Sequence, residues 1–314
     1  MRVAAIDLGT NSTRLLVADV DGRVEDVVRR VEITRLGEGV DERRRLLPLP
    51  IARVRNCLSA YRRELEQLGA ERALAVGTSA VRDAENGDAF LGEVEWSYGF
   101  STRLLSGDEE ARLTFRGATD GRDANGDLVV IDVGGGSTEL VTSEFHVSLD
   151  LGCVRLTDRF LHSDPPAGEE LERLGGAVRS LLAERLPEGA LGEARSAIGV
   201  AGTVTTLAAL DLGLARYDPA RTHGHGIAAS SVEAQLRRLA ALPLAERRRV
   251  PGLEPARAPV IVAGIAIVHE LLAYFGLAAV EASERDLLHG VAAEAAALPE
   301  PVEGDAPPGA YTCC

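Results

Sequence analysis

A chain of 314 residues, 46% hydrophobic and 26% charged, has length enough for two hydrophobic cores. Its net charge of −14 excludes the broad basic face of a general nucleic-acid binder. The sequence contains no lysine, which rules out a Walker A phosphate loop, a Schiff-base lysine and a pyridoxal enzyme, and leaves backbone N–H groups, arginine or a metal to meet any bound phosphate.

The first residues run directly into an apolar strand pattern with no leader layout. Residues 3–17 read VAAIDLGTNSTRLLV, and residues 128–142 read LVVIDVGGGSTELVT. Asp7 aligns with Asp132, Gly9 with Gly134, Ser12 with Ser137 and Thr13 with Thr138, all at one offset. Each copy is an apolar run, an Asp, a Gly-containing turn and a second apolar run, which predicts a β-hairpin. Two copies so far apart predict two similar domains, each opening on the same hairpin. Between them, Ile51, Val54, Leu58, Tyr61, Leu65 and Leu68 recur at helical spacing up to a stop at Gly69. A short strand is predicted at 72–77, another at 103–105, and a helix at 107–118.

The second half repeats the theme. Helices are predicted near 168–186, 203–212, 230–242, 258–275 and 285–298, with a strand at 195–200 and a loop at 213–228. The apolar stretch from Ala258 to Gly276 carries His269 and Glu270, so it reads as a buried helix and not a membrane span. Alternating strands and helices indicate an α/β architecture. The domains are placed at 1–125 and 126–298, joined through a hinge at Gly121–Gly126, with a disordered tail at 299–314. The cysteines, Cys57, Cys153, Cys313 and Cys314, form no CxxC or Cys/His cluster, which points to a reduced, cytoplasmic protein without a zinc site. The terminal pair lies in a Pro- and Gly-rich segment with little to pack.

Chemistry concentrates at the two turns. Glycine lets backbone amides approach an anion closely, and Ser or Thr hydroxyls add donors. Gly9, Thr10, Asn11, Ser12 and Arg14 in the first copy are candidate phosphate contacts, as are Gly134, Gly135, Gly136, Ser137 and Thr138 in the second. Asp7, Asp132 and Glu139 are candidate ligands for Mg²⁺, which prefers carboxylate, water and phosphate oxygen. Ordinary hairpin turns use the same residue types, but the duplication argues for shared chemistry.

In SGDEEARLTFRGA, residues 106–118, Ser106 and Glu109 form a capping box. Glu110 is left for other work, one turn into a helix whose dipole favours its ionised form, as a general base requires. Glu139 is a second catalytic candidate, able to order the attacking water. Its counterpart in the first copy is Arg14, so the two turns are not chemically equivalent. Arg82 and Arg155 are candidate phosphate contacts. His223 and His225 flank Gly224, a loop pair more typical of structure than of a metal site. The turn inside IGVAGTVTTLAAL, residues 198–210, opens a helix and is a further anion site in principle, although plain strand-to-helix turns look the same.

Taken together, IDLGTNSTRLLV, GTSAVRDAEN, LLSGDEEARLTFRGA, VVIDVGGGSTELV, LGCVRLTDRFL and GVAGTVTTLAAL resemble the exopolyphosphatase and guanosine pentaphosphate phosphohydrolase family (Ppx/GppA) in its short form. The resemblance runs to about residue 298. It implies two ribonuclease-H-like domains of the actin, hexokinase and heat-shock ATPase fold with an active cleft between them. The last helix commonly packs back onto the first domain. It also implies Mg²⁺, or Mn²⁺ in its place, and often a homodimer; the acidity and hydropathy of the chain add the expectation of no nucleic-acid or membrane partner. On this resemblance Glu110 falls on the catalytic glutamate, and Asp132, Gly134, Ser137 and Glu139 fall on the metal and phosphate motif. Asp7, Thr10, Asn11 and Ser12 fall on the first phosphate loop. The expected reaction is release of terminal phosphate from polyphosphate, with guanosine pentaphosphate (pppGpp) as the alternative substrate. A sugar-kinase-type phosphotransferase lacks its Asp-based sugar motif here, and a non-catalytic polyphosphate or nucleotide sensor would not need Glu110 and Glu139. The acidity of the chain weighs against long-chain binding unless arginines line a local path.

Overall fold

The computed structural model describes residues 1–119, 127–186 and 194–299. The expected hinge and the Cys313–Cys314 tail lie outside the described residues. The chain forms two compact units, the first built from its beginning and from Leu287 onward, the second ending at Asp286.

The first unit opens with β1 (Arg2–Leu8), β2 (Thr13–Val20) and β3 (Val24–Glu32), an antiparallel meander. There follow α1 (Val40–Arg43), α2 (Pro48–Leu68), β4 (Arg72–Gly77), α3 (Ser79–Arg82), α4 (Gly87–Tyr98), β5 (Ser101–Leu104) and α5 (Gly107–Thr119). The sheet order is β3-β2-β1-β4-β5, with β4 parallel to β1 and β5 parallel to β4. β1 is buried on both faces, as the central strand of a covered sheet must be. Its alternate residues serve two cores. Ala4, Ile6 and Leu8 join Leu58, Tyr61 and Phe100, while Val3 and Ala5 join Leu113, Leu288 and Val291.

The predicted helix at 51–68 starts three residues earlier, at Pro48, where the ring occupies the first turn without losing a needed N–H. It stops at Gly69, whose φ of 67° lets the amide turn back to Glu66 O. Val54, Leu58 and Leu65 face the sheet, each contributing about 1.5–3 kcal/mol by burial. Strand β3 is absent from the sequence-based pattern because it is an edge strand with charges at most positions. Only Val24 is buried along it, so no clean alternation marks it.

The second unit contains β6 (Leu128–Val133), β7 (Thr138–Val141), β8 (His146–Leu149), α6 (Cys153–Phe160) and α7 (Gly168–Arg185). It continues through β9 (Ser196–Val200), α8 (Ala201–Asp211), α9 (Pro219–Thr222), β10 (Gly226–Ala228), α10 (Ala229–Ala240), α11 (Leu244–Arg247), α12 (Ile261–Phe275) and β11 (Ala279–Ala282). The sheet order is β10-β11-β9-β6-β7-β8. Read from β8 inward, it repeats the first sheet: an antiparallel meander of three strands, then two parallel additions, here β9 and β11. This is the ribonuclease-H-like arrangement in duplicate. The region 213–228, expected as a loop, holds α9 and β10, elements too short to show a period. Helix α12 is buried throughout residues 261–268, which accounts for the uniform apolarity of that stretch. Among the described residues no helix is long and apolar enough to cross a membrane.

The last helix, α13 (Leu287–Ala297), belongs to the first unit, against β1 and α5. Its approach to α5 is close: a Cβ at Gly290 would stand 2.2 Å from Leu113 O.

Candidate functional site

In each unit the chemistry-bearing loops leave the carboxyl ends of parallel strands, where open α/β sheets place their ligands. In the first unit these are the turn after β1, the Thr78–Arg82 segment after β4 and the Leu105–Glu110 segment after β5. In the second they are the turn after β6, α8 after β9 and Ser283 onward after β11.

The two turns share one construction. Gly9 N donates to Ser12 O at 3.1 Å, and Gly134 N donates to Ser137 O at 3.0 Å. These glycine amides therefore close the turn and are spent. The carbonyls inside each turn are tied down by a segment packed behind it. In the first turn, Thr10 O accepts from Gly37 N and Asn11 O from Arg35 N, both at 2.9 Å. In the second, Gly134 O accepts from Cys153 N and Gly135 O from Val154 N, both at 2.9 Å. Gly136 O accepts from Arg155 Nε, also at 2.9 Å. A trans peptide is planar, so its C=O and N–H point in opposite directions. Fixing these carbonyls turns the amides of Asn11 and Ser12, and of Gly135, Gly136 and Ser137, to the side away from the brace. Successive amides held on one side make an anion cradle.

Glycine is needed behind the second turn as well as within it. A Cβ at Gly152 would lie 2.1 Å from Gly135 O and 2.3 Å from Gly136 C, so only glycine lets the start of α6 reach the turn. The predicted role of Arg155 changes accordingly: it braces the turn from behind through its amide and Nε. Thr138 also serves the scaffold. Its hydroxyl donates to Leu151 O and is wholly buried, just as its counterpart Thr13 pairs with Thr34 at 2.9 Å.

The residues flanking the turns differ sharply. Asp7 and Arg14 are register partners across β1 and β2, and the guanidinium grips Asp7 Oδ2 through Nε at 2.8 Å and Nη2 at 2.7 Å. Arg14, expected on phosphate, is thus engaged with one oxygen of Asp7, while Asp7 Oδ1, on the residue expected as a metal ligand, is buried without a hydrogen bond. The same two positions in the second unit are Asp132 and Glu139, again register partners, buried with 6% and 1% exposure. Directly opposed side chains lie on one face of the sheet, and two carboxylates so placed repel unless a proton or cation lies with them. Ser148 Oγ donates to Glu139 Oε1 at 2.8 Å, fixing that carboxylate. Among the described residues no group of three or more His, Cys, Asp or Glu gathers to hold a metal. A cation at Asp132 and Glu139 would therefore complete its shell with water and phosphate oxygen, the habit of Mg²⁺ and not of Zn²⁺. Asn11 Oδ1 is buried without a hydrogen-bond partner, an acceptor suited to a ligand hydroxyl or hydrated cation.

Glu110 sits in the first turn of α5, where Ser106 and Glu109 make the expected capping box: Ser106 N donates to Glu109 Oε2 at 2.9 Å and Glu109 N to Ser106 Oγ at 3.2 Å. Hydrogen bonds from Ser106 hold the Glu109 carboxyl below its ordinary pKa. Glu110 itself is 7% exposed, not a solvated helical carboxylate. Arg82 Nη1 donates to its Oε2 at 3.1 Å and to Leu105 O at 2.8 Å. The sequence separates Arg82 and Glu110 widely, and only the parallel β4–β5 arrangement brings them together. Arg82 keeps further N–H donors for an anion, since a guanidinium carries five.

In the second unit Arg257 had no sequence signal, whereas the turn that opens α8 and the His223/His225 pair did. The Arg257 guanidinium packs on Gly202 in the first turn of α8, with Nη1 1.6 Å from where a Cβ would be. A cation beside a helix N-terminus gathers two preferences for negative charge. The histidines are structural: His225 Nε2 pairs with Asp211 Oδ2 at 2.7 Å, and His223 Nδ1 accepts from Glu284 N at 3.2 Å.

Comparison with known proteins adds to this geometry. Residues 15–297 match the model of the Ppx/GppA phosphatase family. Exopolyphosphatase 2 of Mycobacterium tuberculosis is 41% identical over 310 residues, covering 93% of this chain and 97% of that protein. A guanosine-5'-triphosphate,3'-diphosphate pyrophosphatase of Vibrio vulnificus is 31% identical, covering 89% of this chain and 55% of that protein. Among solved structures, the Aquifex aeolicus Ppx/GppA family member superposes with a TM-score of 0.76 at 31% identity, covering 93% of this chain and 96% of that one.

Proposed function

The chain belongs to the Ppx/GppA phosphatase family, and on that premise we propose that it releases terminal phosphate from inorganic polyphosphate by attack of water. The observation that carries the reading is the pair of braced turns. Each holds its carbonyls behind it and offers successive amides, donors that need no reorganisation as charge develops on a phosphoryl group. In this reading the amides of Asn11, Ser12, Gly135, Gly136 and Ser137 bind phosphate oxygens. Glu110 takes the proton of the attacking water, and Arg82 orients its carboxylate while presenting its remaining N–H groups to the substrate. Asp132 and Glu139 would hold Mg²⁺, with Mn²⁺ able to replace it. When bound, the ion would offset the charge of the terminal phosphates.

Hydrolysis of pppGpp is the second reading, favoured by the similarity to the V. vulnificus protein. It ranks second because the chain spans 55% of that protein and 97% of exopolyphosphatase 2. The test is phosphate release, with Mg²⁺, from short polyphosphate, long polyphosphate, pppGpp and ATP, by wild type and Glu110→Gln. Polyphosphate should be the best substrate, and the variant should lose about 10²–10⁴-fold in kcat. Equal release by both proteins removes Glu110 from the chemistry, and binding without release by wild type makes the protein a sensor.

A further inference from the structure

Arginine is the only strongly basic side chain available to this protein, and much of it is committed. In the first unit Arg14 pairs with Asp7, Arg30 with Glu64, Arg53 with Glu38, Arg62 with Glu66 and Arg82 with Glu110. The run Arg43-Arg44-Arg45 is different. All three are exposed, and none of them makes an ion pair with a carboxylate of the described residues. Arg43 and Arg45 line a cavity of ≈ 400 Å³ together with Arg55, Asn86 and the apolar residues Leu46, Leu47, Pro48 and Ile51. Arg55 already neutralises Glu93, through Nε at 2.6 Å and Nη2 at 2.7 Å, and no carboxylate lines the cavity. A concave, carboxylate-free, doubly cationic wall is unexpected on a chain of net charge −14.

The backbone under this wall is fixed. Arg44 adopts φ 52° at the end of α1, with its amide on Val40 O at 2.8 Å. Its carbonyl accepts from Glu85 N at 2.8 Å. Asn86 clasps the next residue but one from both sides, Oδ1 accepting from Leu46 N at 2.8 Å and Nδ2 donating to Leu46 O at 3.1 Å. The same segment reaches the first phosphate turn upstream. Arg35 and Gly37 brace Asn11 and Thr10, and Val40 N donates to Gly37 O at 3.1 Å. One turn of helix, about 6 Å long, then separates the brace from Arg43. Downstream, Glu85 and Asn86 continue the segment that carries Arg82. The cavity thus lies along the rim that holds the turn and Arg82.

We propose that the Arg43–Arg45 cavity is a distal anion site that holds phosphates further along a condensed-phosphate chain whose end is being cleaved. The proposal rests on the polyphosphate reading and adds a reason for chain-length preference. A ligand with a negative charge at every repeat gains from each additional cation it meets, and the gain falls with salt because counterions are released. On this proposal a short substrate would gain nothing from Arg43 and Arg45.

The test compares wild type, Arg43→Gln/Arg45→Gln and Arg43→Lys/Arg45→Lys on long-chain polyphosphate, tripolyphosphate and pppGpp. The Gln pair should raise KM for long-chain polyphosphate about tenfold and lower the log–log salt slope by about two. Tripolyphosphate and pppGpp kinetics should stay within about twofold, and the Lys pair should recover most of the loss. Equal effects on long and short substrates overturn the proposal, as does no effect on either, or a selective loss of pppGpp. Equilibrium binding of long-chain polyphosphate to Glu110→Gln, with and without the Gln pair, judges the site independently of turnover. Weakened binding supports the distal site even if the catalytic reading fails, and unchanged binding removes it even if that reading stands.

Discussion

Replacing Gly152 by alanine should disable the second turn with little damage elsewhere. The added Cβ would stand 2.1 Å from Gly135 O, and real Cβ contacts stay beyond 3.0 Å, so α6 and the turn must part by about an ångström. That distance breaks the hydrogen bonds from Cys153 and Val154 that now hold the turn's carbonyls at 2.9 Å. The amides of Gly135 and Gly136 rotate with their carbonyls. A displacement of this size costs about 10²-fold in rate when it misplaces groups that stabilise a transition state. The overpacking itself costs about 1–3 kcal/mol, or roughly 2–10 °C in Tm for a unit of this size. Steady-state phosphate release should therefore show kcat falling about a hundredfold, while circular dichroism below the melting transition is unchanged. Activity within threefold of wild type would refute the claim that the brace aligns the cradle.

Three further perturbations separate scaffold from chemistry. Gly290→Ala places a Cβ 2.2 Å from Leu113 O. It should cost about 1–3 kcal/mol in denaturant unfolding, because α13 can no longer approach α5. Glu139→Gln removes one of the two opposed carboxylates and should raise the Mg²⁺ concentration for half-maximal activity about 10–100-fold. An unchanged Mg²⁺ titration would move the ion elsewhere. Glu170 accepts backbone hydrogen bonds from Ala167, His162 and Ser163 at 3.0–3.1 Å, and these hold its carboxyl below the ordinary range. A folded-state pKa lower than the unfolded one gives stability present above the unfolded pKa and lost as pH falls through the folded one. The protection factors of the amides at 162, 163 and 167, corrected for intrinsic exchange, should therefore fall on acidification, and Glu170→Gln should flatten that dependence.

The hairpins, the capping box and the long helices were legible because each rests on local pattern. Leu58 and Leu65 repeat at helical spacing, and Ser106 lies three residues before Glu109. What escaped was set by distant segments or by exposure. Strand β3 hides behind its charges, and β10 and β11 are too short to show alternation. The Arg82–Glu110 pair depends on two parallel strands arriving side by side. Thr138 and Arg155 are of the right type to meet phosphate, yet Leu151 O and Gly136 O claim them. Sequence identifies which residues could bind an anion. Packing decides which of them are spent holding the others in place.

The duplicated hairpin also separates two kinds of dependence on the medium. At Asp7 and Arg14 the register partners are of opposite charge, and the guanidinium holds one of the two carboxylate oxygens. At Asp132 and Glu139 the same register positions present acid to acid. On the proposed reading, in which Asp132 and Glu139 hold the cation, the second repeat is the one whose state should follow dissolved divalent ions. Chelation or a change of divalent ion should then register at β6–β7 while β1–β2 stays as it was.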